Sequence, residues 1–524
     1  MSKVGGGRQP KFLSTHPSPA HRAEALRELG AKVQPLYLEA KAPPPAPARY
    51  VNLTGSPSVI RKYSPQMVAM RGCAAFALIF VLVGCAAVRS YDSELTNTLG
   101  QASAGNLDGA IKTLQANNPL PDKDLLYFFE LGMLQRYSQR YDESQKAWQS
   151  ALAQIEAPKT MLDFGASLVR GASSYVVGDK LRTYEPRDYE KVMLTTHMAM
   201  NFLAKGKFDS ARVAIKHTHE LEASIAQARA KQLAKVEEEA KKRGAVTNYK
   251  QLNGYPVKII DNPEVNALRN GYQSALSHYL AGFIYEALGE LSLAAPGYRL
   301  AAELQPNQPL LEQGLAGLEE RTRPVADDGM VDVLFIVSSG SAPPIKPQQV
   351  HLPVPVNQRM LFVPISFPVL VPSRRNEMPM SVTVTGAQRL PLTRITSIDL
   401  MARRSLKDDM PSIMLRATAR STTSAVLQYE AQRHGSQQAG PALGTAAVIA
   451  TSLLSTADDR TWRTLPCEIA VARTRLPPGE HHVTVQTPHG DQRTRVRVSG
   501  RYAVLDFRVL SSQLFVQAPR ENHQ

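Results

Sequence analysis

Few residues in this 524-residue chain stand where side-chain chemistry is within reach. Cysteine occurs three times, at Cys73, Cys85 and Cys467. No pair has the CxxC spacing used for zinc or redox work, and Cys467, alone downstream, cannot form an intramolecular disulfide by itself. His481 and His482 begin a stretch that alternates like a strand. They therefore point to opposite faces and cannot chelate one metal together. "ADDRTWRTLP" (457–466) is the most distinctive polar string. Its Asp458, Asp459, Arg460 and Trp462 form either a contact site for a ligand or partner, or an ion-paired loop entering a strand. The chain has no P-loop, GxSxG elbow, GxGxxG turn or metal-spaced cluster. The expectation is no enzyme, no metal and no cofactor.

Cys85 has a different setting, at the end of the apolar run in "ALIFVLVGCAAVRS" (77–90). From Cys73 to Val88 no residue is charged. As a helix this run would reach only about 24 Å, short of a hydrocarbon core of about 30 Å. Arg71 supplies the positive flank, Ala74–Val83 the apolar region and Gly84 the small residue of a secretory signal, with Met67 or Met70 as its start. Leu82-Val83-Gly84-Cys85 resembles the bacterial lipoprotein signal, whose cysteine is diacylated and becomes the new N-terminus. Acyl chains anchor at about 0.8 kcal/mol per buried CH₂ without a membrane span. By the same resemblance, Ala86 rather than Asp after the cysteine implies the outer membrane. The alternative is a buried apolar strand or helix.

The formal charge of +15 is unevenly placed. The 84 residues before Cys85 hold 11 Lys+Arg and 3 Asp+Glu, which is +8 of the total. The remainder is ordinary, with no basic stripe interleaved with aromatics, so no nucleic-acid partner is expected. "PKFLSTHPSPAHRAEALRELGAKVQPLY" (10–37) resembles the C-terminal tail of HtpX-like zinc metallopeptidases, at Leu13–Pro17 and Arg22 above all. Those enzymes hold zinc on an HExxH helix, which this chain lacks; "HTHELEA" (217–223) has no second histidine at the right spacing. With the Pro/Ala tract "KAPPPAPAR", residues 1–66 read as a disordered, peptidase-tail-like remnant.

The elements that must position any site fall into two groups. Residues 85–323 read as a helical repeat domain. "YLAGFIYEALGELSLAAPGYRLAAELQP" (279–306) fits a tetratricopeptide unit, with Ala281, Gly282 and Tyr285 on its first helix, Gly289 at the turn and Ala294, Tyr298 and Ala301 on the second. Residues 130–152 fit through Leu131, Gly132, Ser144, Trp148 and Ala151, and 197–218 through Phe202, Gly206, Ala211 and Ile215. A weaker unit at 104–114 puts Ala110 thirty-four residues before Ser144. "ELEASIAQARAKQLAKVEEEAKKRG" (220–244) reads as a charged, solvated helix extension. Such stacks present a concave surface that usually binds proteins. The alternative is a generic amphipathic bundle.

After a linker at 321–329, residues 324–519 read as a β-rich, mainly antiparallel, sandwich-like domain with inserted helices. Strands are predicted at 331–340, 359–372 and 380–386, the second at an edge or bulged because of Pro364 and Pro368. A helix is predicted over 396–432, with Leu406, Met410, Ile413, Met414 and Ala417 on one face. "GPALGTAAVIATSLLS" (440–455) reads as a buried helix or hairpin. The last four strands read as an antiparallel meander with Val471, Val483, Val485, Val496, Val498, Leu505 and Phe507 in its core.

The Cys85 signal, the 271–306 segment and "DRTWRTLP…LPPGEHHVTV" together resemble an uncharacterised family of proteobacterial tetratricopeptide lipoproteins over 67–519. The resemblance implies architecture and address: a signal peptide at 67–84, a lipidated Cys85 and an outer-membrane protein facing the periplasm. The expected role is a protein-interaction scaffold in cell-envelope assembly, binding an envelope protein through the repeats and the membrane through the anchor. Tyr285, Tyr298, Asp459, Arg460 and Trp462 are the expected partner contacts. A glycan- or peptidoglycan-binding lipoprotein is the alternative, and an inactive metallopeptidase-related chain the next.

Overall fold

The computed structural model describes residues 90–119, 121, 123–157, 184–243, 247–322, 329–356, 359–372, 378–386, 389–434 and 457–518. Cys85, Cys73, everything before Ser90 and the apolar string at 440–455 lie outside the described residues.

Helices fill the first part as hairpins: α1 (Tyr91–Ser103) with α2 (Leu107–Asn117), α3 (Leu125–Tyr137) with α4 (Tyr141–Glu156), α5 (Asp188–Leu203) with α6 (Phe208–Arg243). The 5-residue α7 (Pro263–Ala267) precedes α8 (Ala275–Ala287) and α9 (Leu291–Leu304), and α10 (Pro309–Ala316) and α11 (Leu318–Thr322) close the stack. Side-chain caps start several of them. Ser90 accepts from Ser93 N, Asn106 from Gly109 N and Asp124 from Tyr127 N, each satisfying an orphan donor of a first turn.

The four hairpins share one internal spacing. A small residue on the first helix is followed seven residues on by a residue at positive φ in the turn, and sixteen on by a large apolar residue of the second helix. The sets are Thr98, Gly105, Leu114; Gly132, Gln139, Trp148; Ala199, Gly206, Ile215; and Gly282, Gly289, Tyr298. The turn φ values run from 58° to 86°, the left-handed end that stops a helix. The small residue lets the ring of its partner seat against the backbone. A Cβ on Gly132 would lie 2.3 Å from the Trp148 indole nitrogen, and one on Gly282 2.7 Å from the Tyr298 ring.

The strands form two stacked sheets and a ribbon. One sheet has the order β11-β10-β1-β7-β6, comprising β1 (Val331–Ser339), β6 (Thr393–Ser397), β7 (Glu468–Leu476), β10 (Tyr502–Leu510) and β11 (Gln513–Gln517). The second has the order β5-β4-β8-β9: β4 (Ser381–Val384), β5 (Arg389–Pro391), β8 (Gly479–Thr487) and β9 (Gly490–Val498). β2 (Ile345–Val356) and β3 (Arg359–Leu370) pair as a ribbon against the long helix α12 (Ile398–His434). The five residues expected on the inner face of α12 are all buried.

β1 alternates between two cores, as a central strand between two layers must. Leu334 and Ile336 face the helices, while Val331, Val333, Phe335 and Val337 face the second sheet. The layers thus run from second helices to first helices to the five-stranded sheet to the four-stranded sheet. The first helices α3, α5 and α8 lie in the middle and are buried almost throughout. The second helices keep one exposed face, and α6 continues past the stack as a charged extension.

Three expectations are corrected. The last four strands are not a meander. β1 inserts between β7 and β10, pairing antiparallel with the first and parallel with the second, while β8 and β9 belong to the other sheet. Their core positions hold nonetheless: all seven expected residues are buried. The division at 323/324 does not separate two cores, because one buried cluster runs from Leu125 and Tyr298 through Ile336 and Met410 to Trp462 and Val504. Arg321, placed in a linker, sits on α11 and pairs with the buried Glu286 at 2.8 Å. No helix among the described residues is long and apolar enough to cross a membrane.

Candidate functional site

The distinctive 457–466 string is an irregular strap, with a turn at 463–464, laid across the first helices, and two buried carboxylates hold it. Glu130 of α3 accepts from Arg463 N at 2.7 Å, Thr464 N at 2.9 Å and Tyr91 Oη at 3.2 Å. Glu190 of α5 accepts from Trp462 N at 2.8 Å, Thr461 Oγ1 at 2.9 Å and Arg187 N at 2.8 Å. A segment outside helix and sheet has no ladder of its own, so its buried N–H groups need such acceptors. Burial pushes the Glu130 carboxyl up to about 7, although the Arg463 and Thr464 N–H groups pull it back. Trp462 is fully buried, stacked on Phe129 at 4.5 Å and edge-on to Trp148 at 6.1 Å.

A second network ties the sheet to the helices. Arg473 of β7 spans Asp332 of β1 and Glu286 of α8, each at 2.7 Å, and Tyr298 of α9 donates to Glu286 at 2.6 Å. Burial raises the Glu286 carboxyl, but Arg321, Arg473 and Tyr298 outweigh it and hold it below its usual range. Arg136 of α3 pairs with Asp506 of β10 at 2.6 Å, with both side chains buried.

Beside the strap opens a cleft of about 400 Å³, lined by Tyr184, Arg187, Asp188, Arg229, Asp409 and Arg416 among others. Arg229 bridges Asp188 and Asp409, and Lys191 reaches Asp188 at 2.8 Å. Burial pushes the Asp188 carboxyl up, but Lys191 and Arg229 more than offset it and hold it low. The charged side chains of the cleft wall are tied to one another in ion pairs. Among the described residues no group of three His, Cys, Asp or Glu is placed to hold a metal.

The expected partner contacts are not a surface patch. Trp462 and Tyr298 are wholly buried, Tyr285 and Asp459 nearly so, and Asp459 accepts from Tyr91 N at 2.9 Å. Arg460 makes a two-point pair with Asp458 at 2.7 and 2.9 Å and lies 5.3 Å over the Tyr184 ring. Asp459, Arg460 and Trp462 belong to the strap and Tyr298 to the Glu286–Arg473 network, and the strap with the five-stranded sheet covers the inner helical face where a partner was expected. His482 is exposed, and His481 bonds to Pro477 O at 2.8 Å. Of the residues missed, Glu130 carried a signal, a carboxylate amid apolar helix ("LLYFFELGML"), whereas Glu190, between Asp188 and Lys191 in the first turn of α5, carried none. No known protein family, curated protein or solved structure matches the chain.

Proposed function

We propose that this chain is an outer-membrane lipoprotein facing the periplasm, anchored through Cys85, that acts as a protein-interaction scaffold in cell-envelope assembly. One observation carries the reading: the Leu82–Cys85 signal stands only five residues before Ser90, the N-cap of α1. Five residues span at most about 17 Å, so acylation at Cys85 would hold the folded body close to the bilayer. Tyr91, the first residue of that body, is bonded through its N–H to Asp459 and through its hydroxyl to Glu130. Any pull on the tether is therefore delivered to the strap and the central helices rather than to a loose end.

The shared hairpin spacing, with small residues facing Trp148, Ile215 and Tyr298, supports tetratricopeptide-like packing. The two stacked sheets support a sandwich-like reading of the β part. Because the inner helical face is covered, a protein partner would engage the exposed faces of α4, α6 and α9. The glycan alternative rests on the sandwich-like β part, and neither tryptophan adds to it, since both are buried. The test is intact mass of cell-derived protein beside a Cys85→Ser chain. A mature form beginning at an acylated Cys85, and envelope proteins captured by it above the variant, are expected; an unprocessed N-terminus refutes the reading.

A further inference from the structure

The four-stranded sheet turns one face to the five-stranded sheet and the other to solvent. On the outer face of β9 three alternate residues are exposed and basic: Arg493, Arg495 and Arg497. Repetition every two residues places these guanidinium groups about 7 Å apart along a flat surface. Across the ladder stand Thr484, His482 and Glu480 of β8. Arg389 of β5 shares the face and donates to Ser381 at 2.8 Å. Arg497 has Glu480 opposite it, whereas Arg493 and Arg495 meet no carboxylate among the described residues. Against this basic row the sheet sets Glu480 and, at the tip, Asp491.

A chain of contacts links the start of the folded chain to this sheet. Tyr91 bonds Glu130, which holds Arg463 and Thr464. Cys467 N donates to Ser339 O at 2.8 Å, at the end of β1. Ser339 Oγ reaches Met378 Sδ at 3.2 Å, Met380 N donates to Gln486 O at 3.2 Å, and Gln486 meets Arg389. We propose that the outer face of this sheet, through Arg493 and Arg495 with Arg389 and Arg497 beside them, docks on the anionic phospholipid headgroups of the bilayer that carries the tether. The proposal rests on the anchored reading above. A row of cations on one sheet face suits a plane of phosphates. Charge on the edge strand β9 also discourages pairing with another chain, a role that needs no lipid.

The test uses the full chain carrying Cys85→Ser, which cannot be acylated, so its result is independent of whether the anchor exists. Co-sedimentation is measured with phosphatidylcholine vesicles and with vesicles containing phosphatidylglycerol. Binding to the anionic vesicles is expected to exceed binding to the neutral ones and to weaken with salt. The R493Q/R495Q pair should lower it about thirtyfold, about fivefold per arginine, while R493K/R495K should keep it. Equal binding of the R493Q/R495Q pair and its parent overturns the proposal. So does binding to polyglutamate or a DNA oligonucleotide without binding to anionic vesicles, which assigns the face to a soluble polyanion. Self-association of the glutamine pair with unchanged vesicle binding assigns the arginines to edge protection and overturns it as well.

Discussion

Glu130 makes stability depend on pH in a direction opposite to that of most carboxylates. Burial raises its carboxyl from 4.5 to about 7, so the fold holds a proton that the open chain releases. At about 1.4 kcal/mol per tenfold, that difference weighs about 3 kcal/mol. The sign follows: the contribution is fully present below pH 4.5 and is lost as pH rises through about 7. Glu130→Gln removes the ionisation but leaves one acceptor oxygen where the carboxylate has two. Oε1 serves Arg463 N and Tyr91 Oη, and Oε2 serves Thr464 N, so the amide nitrogen must face a backbone donor. That mismatch costs about 1–3 kcal/mol at every pH. The variant should therefore be less stable than the parent at pH 5, and the gap should close or reverse by pH 8. Urea unfolding at both pH values, followed by emission of the buried Trp148 and Trp462, measures the gap directly. Taking the difference between the two proteins cancels the other titrating groups. A gap that stays constant from pH 5 to pH 8 refutes the reasoning.

Trp462→Ala empties the space between Phe129 and Trp148 and should cost about 3–5 kcal/mol, read as a lowered urea midpoint. Gly282→Ala drives a Cβ to 2.7 Å from the Tyr298 ring and should cost about 1–3 kcal/mol, whereas Gly254→Ala, with open space around it, should show only the strain of its φ of 86°. Arg473→Met leaves Glu286 and Asp332 short of a cation and should cost about 3–5 kcal/mol, with part of the loss recovered on acidification as Glu286 protonates. Burial, with help from His278, lowers His219 to about 4, so its contribution is full above pH 6.5 and is lost toward pH 4; His219→Gln should flatten stability over that window in thermal melts.

Local features were legible in the sequence, and long-range pairing was not. The glycine-to-aromatic spacings of 132–148 and 282–298, and the apolar face of α12, are set by helical period and so can be read directly. The core positions of β8, β9 and β10 follow from alternation in the same way. Strand order does not, because β1 meets β7 and β10 across more than a hundred residues and nothing in its own "VDVLFIVSS" specifies those neighbours. Asp459 and Trp462 stood out because charge and an aromatic ring in a loop resemble a surface site. Their burial depends on Glu130 and Glu190, and an acceptor that binds backbone N–H leaves no mark on the residues it receives. The isolated Glu130 inside an apolar helix was the sign of a buried polar anchor; Glu190, among charged residues at a helix start, bore no such sign.

The strap also sets the order in which the molecule can be completed. Glu130 waits for backbone donors 333 and 334 residues further along the chain, and the first helices present buried acids and apolar faces until those donors arrive. Contacts at such separation close slowly and leave intermediates exposed. A chain emerging N-terminus first therefore has its helices made long before they can settle. A fragment ending near residue 450 would keep every hairpin and still lack the piece that seals them. Such a chain depends on its helices being protected until the strap has been made, and that interval, more than final stability, is the step at which its yield is decided.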